Sequence, residues 1–308
     1  MNKKYIKSLL YPIALVFSLI IAGCADELFD ESNGQQGKDR IELSGDIDQL
    51  PITRVNDNGF CDGDYMGVYI VDYNGGTPGT LQVRGNRGDN VRYTFDEANY
   101  KWVPAYDVYW KDKHTHIDVY GYYPFASPES IDDYQFEVQR DQNRPAENGI
   151  LGGYEASDLL HASCKGVAAS DEPVNLIFRH IMSKLTIRLI KGEDFEGEMP
   201  VNATVYVHNT VPEATIDLQA GVATRNAKAV RQTITAHHDG DYLYSAIIVP
   251  QRIENRMPLI EVVMHNMSYL YESKFQFKPG MEHLVNLIIP NNPDNIRIEI
   301  GGDIKEWQ

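Results

Sequence analysis

Apolar and polar residues alternate with a period of two along most of the chain beyond residue 60. That alternation turns one face of an extended strand to a core and the other to water. It predicts strands over residues 66–73, 91–95, 117–122, 185–190, 203–207 and 232–236. More are predicted over 243–249, 259–264, 269–277, 284–289 and 296–300. β-Branched and aromatic residues dominate these runs, as a pleated, half-buried surface prefers. Clusters of Gly, Asn, Asp and Pro at 74–79, 85–90, 238–241 and 291–294 mark turns between them. No stretch sustains a helical period. Many short strands punctuated by turns predict an all-β chain built of β-sandwiches. Residues 127–173 read as loop, with one apolar island at 158–162. The seam between two domains is expected around 170–184, giving a body of 41–178 and 179–308. No internal repeat is evident at the level of residues.

The N-terminus follows another pattern. Lys3, Lys4 and Lys7 precede an apolar run from Leu9 to Ala22, broken by Tyr11, Pro12 and Ser18. This is the layout of a secretory signal, too short for a comfortable membrane span. It ends in Ile21-Ala22-Gly23-Cys24, which resembles a bacterial lipobox. The resemblance implies a signal peptide over 1–23, cleavage between Gly23 and Cys24, and a diacylglycerol and N-acyl lipid on Cys24. Two acyl chains anchor stably, since each buried methylene contributes about 0.8 kcal/mol. The acidic run Asp26, Glu27, Asp30 and Glu31 resembles the surface-export signal of Bacteroidota lipoproteins. Residues 24–40 then form a lipidated, flexible tether.

Charge narrows the partners. The 308 residues carry 28 Lys+Arg against 44 Asp+Glu, a net charge of −16; without the three signal-peptide lysines it is 25 − 44 = −19. Nucleic acid is excluded, because phosphate binding needs a basic footprint. Docking on anionic lipid through a basic patch is excluded for the same reason. Three cysteines are too few for a disulfide scaffold. With Cys24 lipidated, Cys61 and Cys164 are left, and an oxidising envelope permits them to pair; spacing leaves that open.

Candidate chemistry is sparse. There is no G-x-S-x-G, H-E-x-x-H, P-loop or zinc-type cysteine pair. His114 and His116 are too few for a structural zinc site and read as an exposed edge, while His237-His238 read as a turn. Asn56-Asp57-Asn58-Gly59 and Asp62-Gly63-Asp64 look like calcium loops but lack the closing glutamate and flanking helices. They read as a polar turn. Tyrosine is abundant, in clusters at Tyr106/Tyr109/Trp110 and Tyr120/Tyr122/Tyr123. Half-buried, they pack a sandwich; exposed, they stack on sugars or anchor partners. Nothing singles out a catalytic carboxylate pair. No enzyme, metal or cofactor other than the Cys24 lipid is expected.

Several segments together resemble one family. Thr53-Arg54-Val55 followed by Gly63-Asp64-Tyr65-Met66-Gly67-Val68-Tyr69 resembles the opening of fimbrillin-like lipoproteins of Bacteroidota. Tyr120-Gly121-Tyr122-Tyr123-Pro124-Phe125 resembles their Y-Y-P segment, and Ser157-Asp158-Leu159-Leu160-His161-Ala162 their D-L-L-x-A segment. Phe178-Arg179-His180-Ile181-Met182-Ser183-Lys184-Leu185 resembles the F-x-H-x-M-S-K-L stretch that opens the second domain. Ala214-Thr215-Ile216-Asp217-Leu218, Ile248-Val249-Pro250-Gln251 and the ending Gly302-Asp303-Ile304-Lys305-Glu306-Trp307 also match.

The resemblance implies two transthyretin-like β-sandwich domains and a fimbrial or adhesive role at the outer-membrane surface. It implies other fimbrial subunits as partners, by donor-strand exchange. In polymerising members an arginine-specific protease removes the first strand, and a neighbour's strand fills the groove. Here that strand would be Ile41-Glu42-Leu43-Ser44, with Arg54 the candidate cleavage point and Arg40 the second. The chain stops one residue after Trp307, which shifts the expectation from a stalk subunit to an anchor, tip-like or stand-alone lipoprotein. Residues 296–300 are the available donor or simply a last strand. The adhesion ligand, on a host or bacterial surface, is unassigned. The alternative is a stand-alone surface glycan-binding lipoprotein.

Overall fold

The computed structural model describes residues 39–48, 59–299 and 304–307. Gly23, Cys24 and Arg54 lie outside them. Twenty strands occur among the described residues. The first half supplies β1 (Leu43–Ile47), β2 (Tyr65–Asp72), β3 (Gly88–Asp96), β4 (Lys101–Pro104) and β5 (Ile117–Tyr123). It continues with β6 (Tyr134–Glu137), β7 (Leu160–Val167) and β8 (Val174–His180). The second half supplies β9 (Ser183–Lys191), β10 (Thr204–Thr210), β11 (Glu213–Asp217), β12 (Val222–Arg225), β13 (Gln232–Thr235) and β14 (His237–Gly240). It ends with β15 (Leu243–Ile248), β16 (Gln251–Met264), β17 (Met267–Phe277), β18 (Met281–Ile289), β19 (Arg297–Ile298) and β20 (Ile304–Glu306).

The all-β expectation holds. Three local expectations are corrected. The stretch read as loop contains β6 and β7. His237 and His238 belong to β14 and pair with Ser245 and Tyr244 of β15. The strand expected at 296–300 is the two-residue β19, since Asn295 ends a 3₁₀ turn.

A seven-stranded sheet runs β1-β8-β7-β5-β2-β3-β4. A six-stranded sheet runs β14-β15-β9-β18-β19, with β20 also on β18. A four-stranded sheet β13-β10-β16-β17 and a three-stranded sheet β12-β11-β6 complete the body. The chain leaves the seven-stranded sheet at His180 and enters the six-stranded one at Ser183.

Period-two alternation feeds two cores. Along β2, Met66, Val68 and Ile70 pack into one cluster, while Tyr69 and Val71 pack into the other. Along β5, Ile117, Val119 and Tyr123 face the first, and Tyr120 and Tyr122 the second. Both strands are therefore buried on both faces, and read as near-continuous apolar runs. This also decides the Tyr120/Tyr122/Tyr123 cluster: all three rings are core.

Candidate assembly site

One end strand, β1, has an unusual seat. It lies at one end of the seven-stranded sheet and pairs in parallel with β8, from Leu43 opposite Val174 to Ile47 opposite Phe178. Val174 N–H donates to Glu42 O, and Asp48 N–H to Phe178 O, both at 2.8 Å. On its other side the segment meets residues that follow β4. Ile41 N–H donates to Val108 O at 2.8 Å, Trp110 N–H to Asp39 O at 3.0 Å, and Arg40 forms an antiparallel bridge with Tyr109. The burial explains the seat. Ile41 is 1% exposed and Leu43 5%, and Ile47 packs at the margin of the same core. The strand thus extends beyond the predicted 41–44, through Ile47.

Beneath the strand lies an aromatic floor. Trp102 Nε1 donates to Gly45 O at 3.2 Å. Phe60 packs edge-on against Trp102 and Phe178, with ring centroids at 4.8 and 5.5 Å. Asp46 accepts from Tyr100 Oη at 2.6 Å at the rim. Arg40 pairs with Glu42 and, at 3.1 Å, with Asp107. The hydrogen bond to Glu42 pushes the Arg40 guanidinium up, and that from Arg40 holds the Glu42 carboxyl down. These pairs are largely solvated, so they orient the strand rather than hold it. The apolar side chains of Ile41 and Leu43 and the pairing with β8 hold this end strand against the entropy of ordering it.

The segments that carry the sequence resemblance meet elsewhere, at the step from β8 to β9. The buried His180 places Nδ1 2.8 Å from Asp158 Oδ1. Its ring stacks on Trp307 at 3.8 Å with an 11° interplanar angle. Trp307 N–H donates to Gly280 O, and β20 pairs with β18 at Met281–His283. The D-L-L-x-A, F-x-H-x-M-S-K-L and terminal motifs are thus parts of one packed joint. Beside it opens a cleft of ≈ 500 Å³, lined among others by Ile47, Asp64, Tyr123, Asp158, His180 and Lys184. Burial raises the Asp64 carboxyl despite hydrogen bonds from Cys61 N–H and Tyr123 Oη.

The remaining candidates are scattered. Cys61 is exposed, Cys164 is half-buried, and both are free thiols. His114 and His116 are exposed ahead of β5. Among the described residues no group of three or more potential ligands could hold a metal. Trp102 and Trp110 are buried, so neither offers a face to a sugar; Tyr106 and Tyr109 are 52% and 41% exposed. Sequence reasoning missed Gly45, Trp102 and Phe178 as the shape of the groove.

The sequence profile of the fimbrillin-like family matches residues 53–307. The chain belongs to that family. Solved structures share the fold. A candidate cell adhesion protein from Bacteroides uniformis ATCC 8492 is 18% identical, with a TM-score of 0.65, over 89% of this chain and 100% of that one. Another, from Bacteroides ovatus ATCC 8483, is 19% identical, with a TM-score of 0.67, over 87% and 98%. A fimbrial protein from Bacteroides vulgatus ATCC 8482 is 13% identical, with a TM-score of 0.52, over 87% and 99%. No curated protein matches. The profile match begins at residue 53, beyond β1 and one residue before Arg54.

Proposed function

We propose that this fimbrillin-like protein is a lipid-anchored fimbrial or adhesion component of the outer membrane, working by strand addition and not by catalysis. Cys24 carries the lipid, and residues 25–40 tether the body during export, until cleavage after Arg54 separates it from the anchor. Partners are other fimbrial subunits. The observation that carries this reading is the seat of β1: an end strand, parallel to β8, in an apolar groove. Taking it out leaves one edge of β8 unpaired and Leu176, Phe178 and Trp102 without their cover, a state that another strand repairs.

The two candidate arginines differ in consequence. Arg54 follows β1, so cleavage there frees the strand to leave. Arg40 precedes β1, so cleavage there would cut the tether and leave the strand seated. Arg40 is also bridged to Tyr109 and ion-paired, a poor fit to a protease that must pair with the substrate backbone and take the arginine side chain into its own pocket. Arg54 is therefore the maturation site. The test is the N-terminal residue of surface-isolated protein from bacteria carrying Arg54→Ala or Arg40→Ala. Val55 is expected for the unaltered chain and for Arg40→Ala, and is lost in Arg54→Ala. Retention of residues 41–54 in the unaltered, assembled protein would contradict the reading.

A further inference from the structure

Most end strands of this fold are short. β4, β6, β12, β13 and β14 have four residues each, and β1 has five. A short edge is one way to avoid pairing with another chain. β17 departs from that. It closes the four-stranded sheet with 11 residues, contains no proline, and pairs with β16 alone.

Its parity is regular. His265 and Asn266, at φ 49° and 61°, form a two-residue turn, so Met264 and Met267 exchange backbone bonds. From there alternate residues turn their backbone to β16, and Ser268, Leu270, Glu272, Lys274 and Gln276 turn theirs to the open edge. Pro258 agrees with this parity. It has no N–H to give and lies opposite Glu272, while its carbonyl accepts from Asn209 Nδ2 on the β10 side. Both irregularities in the β16–β17 pairing are extra residues on β16, so β17 itself stays regular. Among the described residues no other strand bonds this edge. Lys274 O accepts locally from Ser273 Oγ at 2.8 Å, which leaves it a second lone pair. The side chains alternate in step: Leu270, Glu272, Lys274 and Gln276 are exposed, while Tyr271, Ser273 and Phe275 are half-buried between the buried Tyr269 and Phe277.

The strand complements its own reverse. With Ser273 set opposite a second Ser273, Glu272 meets Lys274, Tyr271 meets Phe275, Tyr269 meets Phe277, and Leu270 meets the aliphatic stem of Gln276. Opposite charges and aromatic pairs stabilise facing antiparallel positions, and like charges destabilise them. The neighbouring registers that keep the outward backbone groups paired set Glu272 against Glu272 or Lys274 against Lys274. Charge therefore selects one register and one partner. The half-buried Tyr271 and Phe275 complete their burial across the same seam.

We propose that β17 of one molecule pairs antiparallel with β17 of a second copy of this chain, about a two-fold axis through Ser273, joining the two four-stranded sheets edge to edge. The contact is isologous and closes at a dimer. It uses neither β1 nor Arg54, so it is independent of strand exchange.

The test uses bacteria carrying the full chain with Cys61→Ser and Cys164→Ser, which leaves Cys24 for the lipid. Ser273→Cys is then added. Facing residues of a non-hydrogen-bonded antiparallel pair lie about 4.5 Å apart at Cα, within disulfide reach. After brief oxidation with copper phenanthroline, heated non-reducing SDS gels should show a band of twice the mass that reductant collapses. Ser268→Cys, remote from its own copy in this register, should give at least about tenfold less. Lys274→Glu, added to Ser273→Cys, sets Glu against Glu on both sides of the axis and should weaken pairing about tenfold; Glu272→Lys together with Lys274→Glu should restore it. Intensities are taken relative to the reducing lane, so abundance does not enter. No doubled band for Ser273→Cys overturns the inference, and so does equal cross-linking of Ser268→Cys, which random collision would give. Undiminished cross-linking with Lys274→Glu overturns the register. A Ser273→Cys product of another mass overturns the choice of a second copy. The disulfide survives the heating that separates exchanged strands, so no outcome depends on the reading of β1.

Discussion

Gly45→Val probes the groove without touching the rest of the fold. A Cβ there lies 3.2 Å from Phe178 and 3.3 Å from Trp102, inside ordinary contact, and valine adds two methyl groups against the same floor. Overpacking of this kind costs about 1–3 kcal/mol. Removing a strand glycine returns about 0.5–1 kcal/mol by restricting the unfolded chain. The net, about 1 kcal/mol, falls on β1, because the floor residues belong to the core and β1 is the end strand. An opening equilibrium shifted by about 1 kcal/mol raises the detached population roughly fivefold. Native-state hydrogen exchange, followed on peptides covering 40–48 and 174–180, reads that population directly. Exchange there should accelerate by about that factor, with β9 and β18 unchanged; Gly45→Ala, which adds only the Cβ, should give a smaller change. Unchanged exchange would refute the close approach of Phe178 and Trp102 to Gly45. Equal acceleration throughout the molecule would refute the separability of β1.

Two further predictions concern the joint at the β8–β9 step. Trp307→Ala removes a buried ring stacked on His180 and should cost about 3–5 kcal/mol, lowering Tm by roughly 6–15 °C; a loss under about 1 kcal/mol would mean the terminal segment is not part of the core. Acid should loosen β20. Burial pushes the Glu282 carboxyl up, but Lys305 at 2.8 Å, Lys184 and the Thr186 hydroxyl outweigh it and hold it below its ordinary 4.5. A lowered carboxylate stabilises the fold above the unfolded value and loses that contribution as pH falls through the folded one. Melts between pH 6 and pH 3 should therefore decline more steeply below about pH 4.5 in the unaltered protein than in Lys305→Met. Parallel profiles would contradict this.

The alternation of apolar residues made β2, β5, β9, β15 and β18 legible, because their burial dominates their composition. β8 hid for a physical reason. Val174, Leu176, Phe178 and His180 are buried in strict alternation, but Ile177 faces out and the buried fourth member is a histidine. β7 buries only Leu160 and Ala162, too little for periodicity to register. Tyr106 and Tyr109 stand exposed beside the buried Trp110, a distinction composition does not make. The groove was illegible in a stronger sense. The glycine at 45 matters because Trp102 and Phe178 converge on it from strands distant in sequence, and no local pattern marks that convergence.

The central claim is that β1 leaves and another strand takes its place. The most direct measurement is an immunoblot of outer-membrane fractions, unheated and heated in SDS, with the N-terminus of each band determined. The account predicts an unheated ladder that collapses on heating to one band beginning at Val55, and no ladder for Arg54→Ala. A single band in both lanes, still carrying residues 40–47, would contradict it.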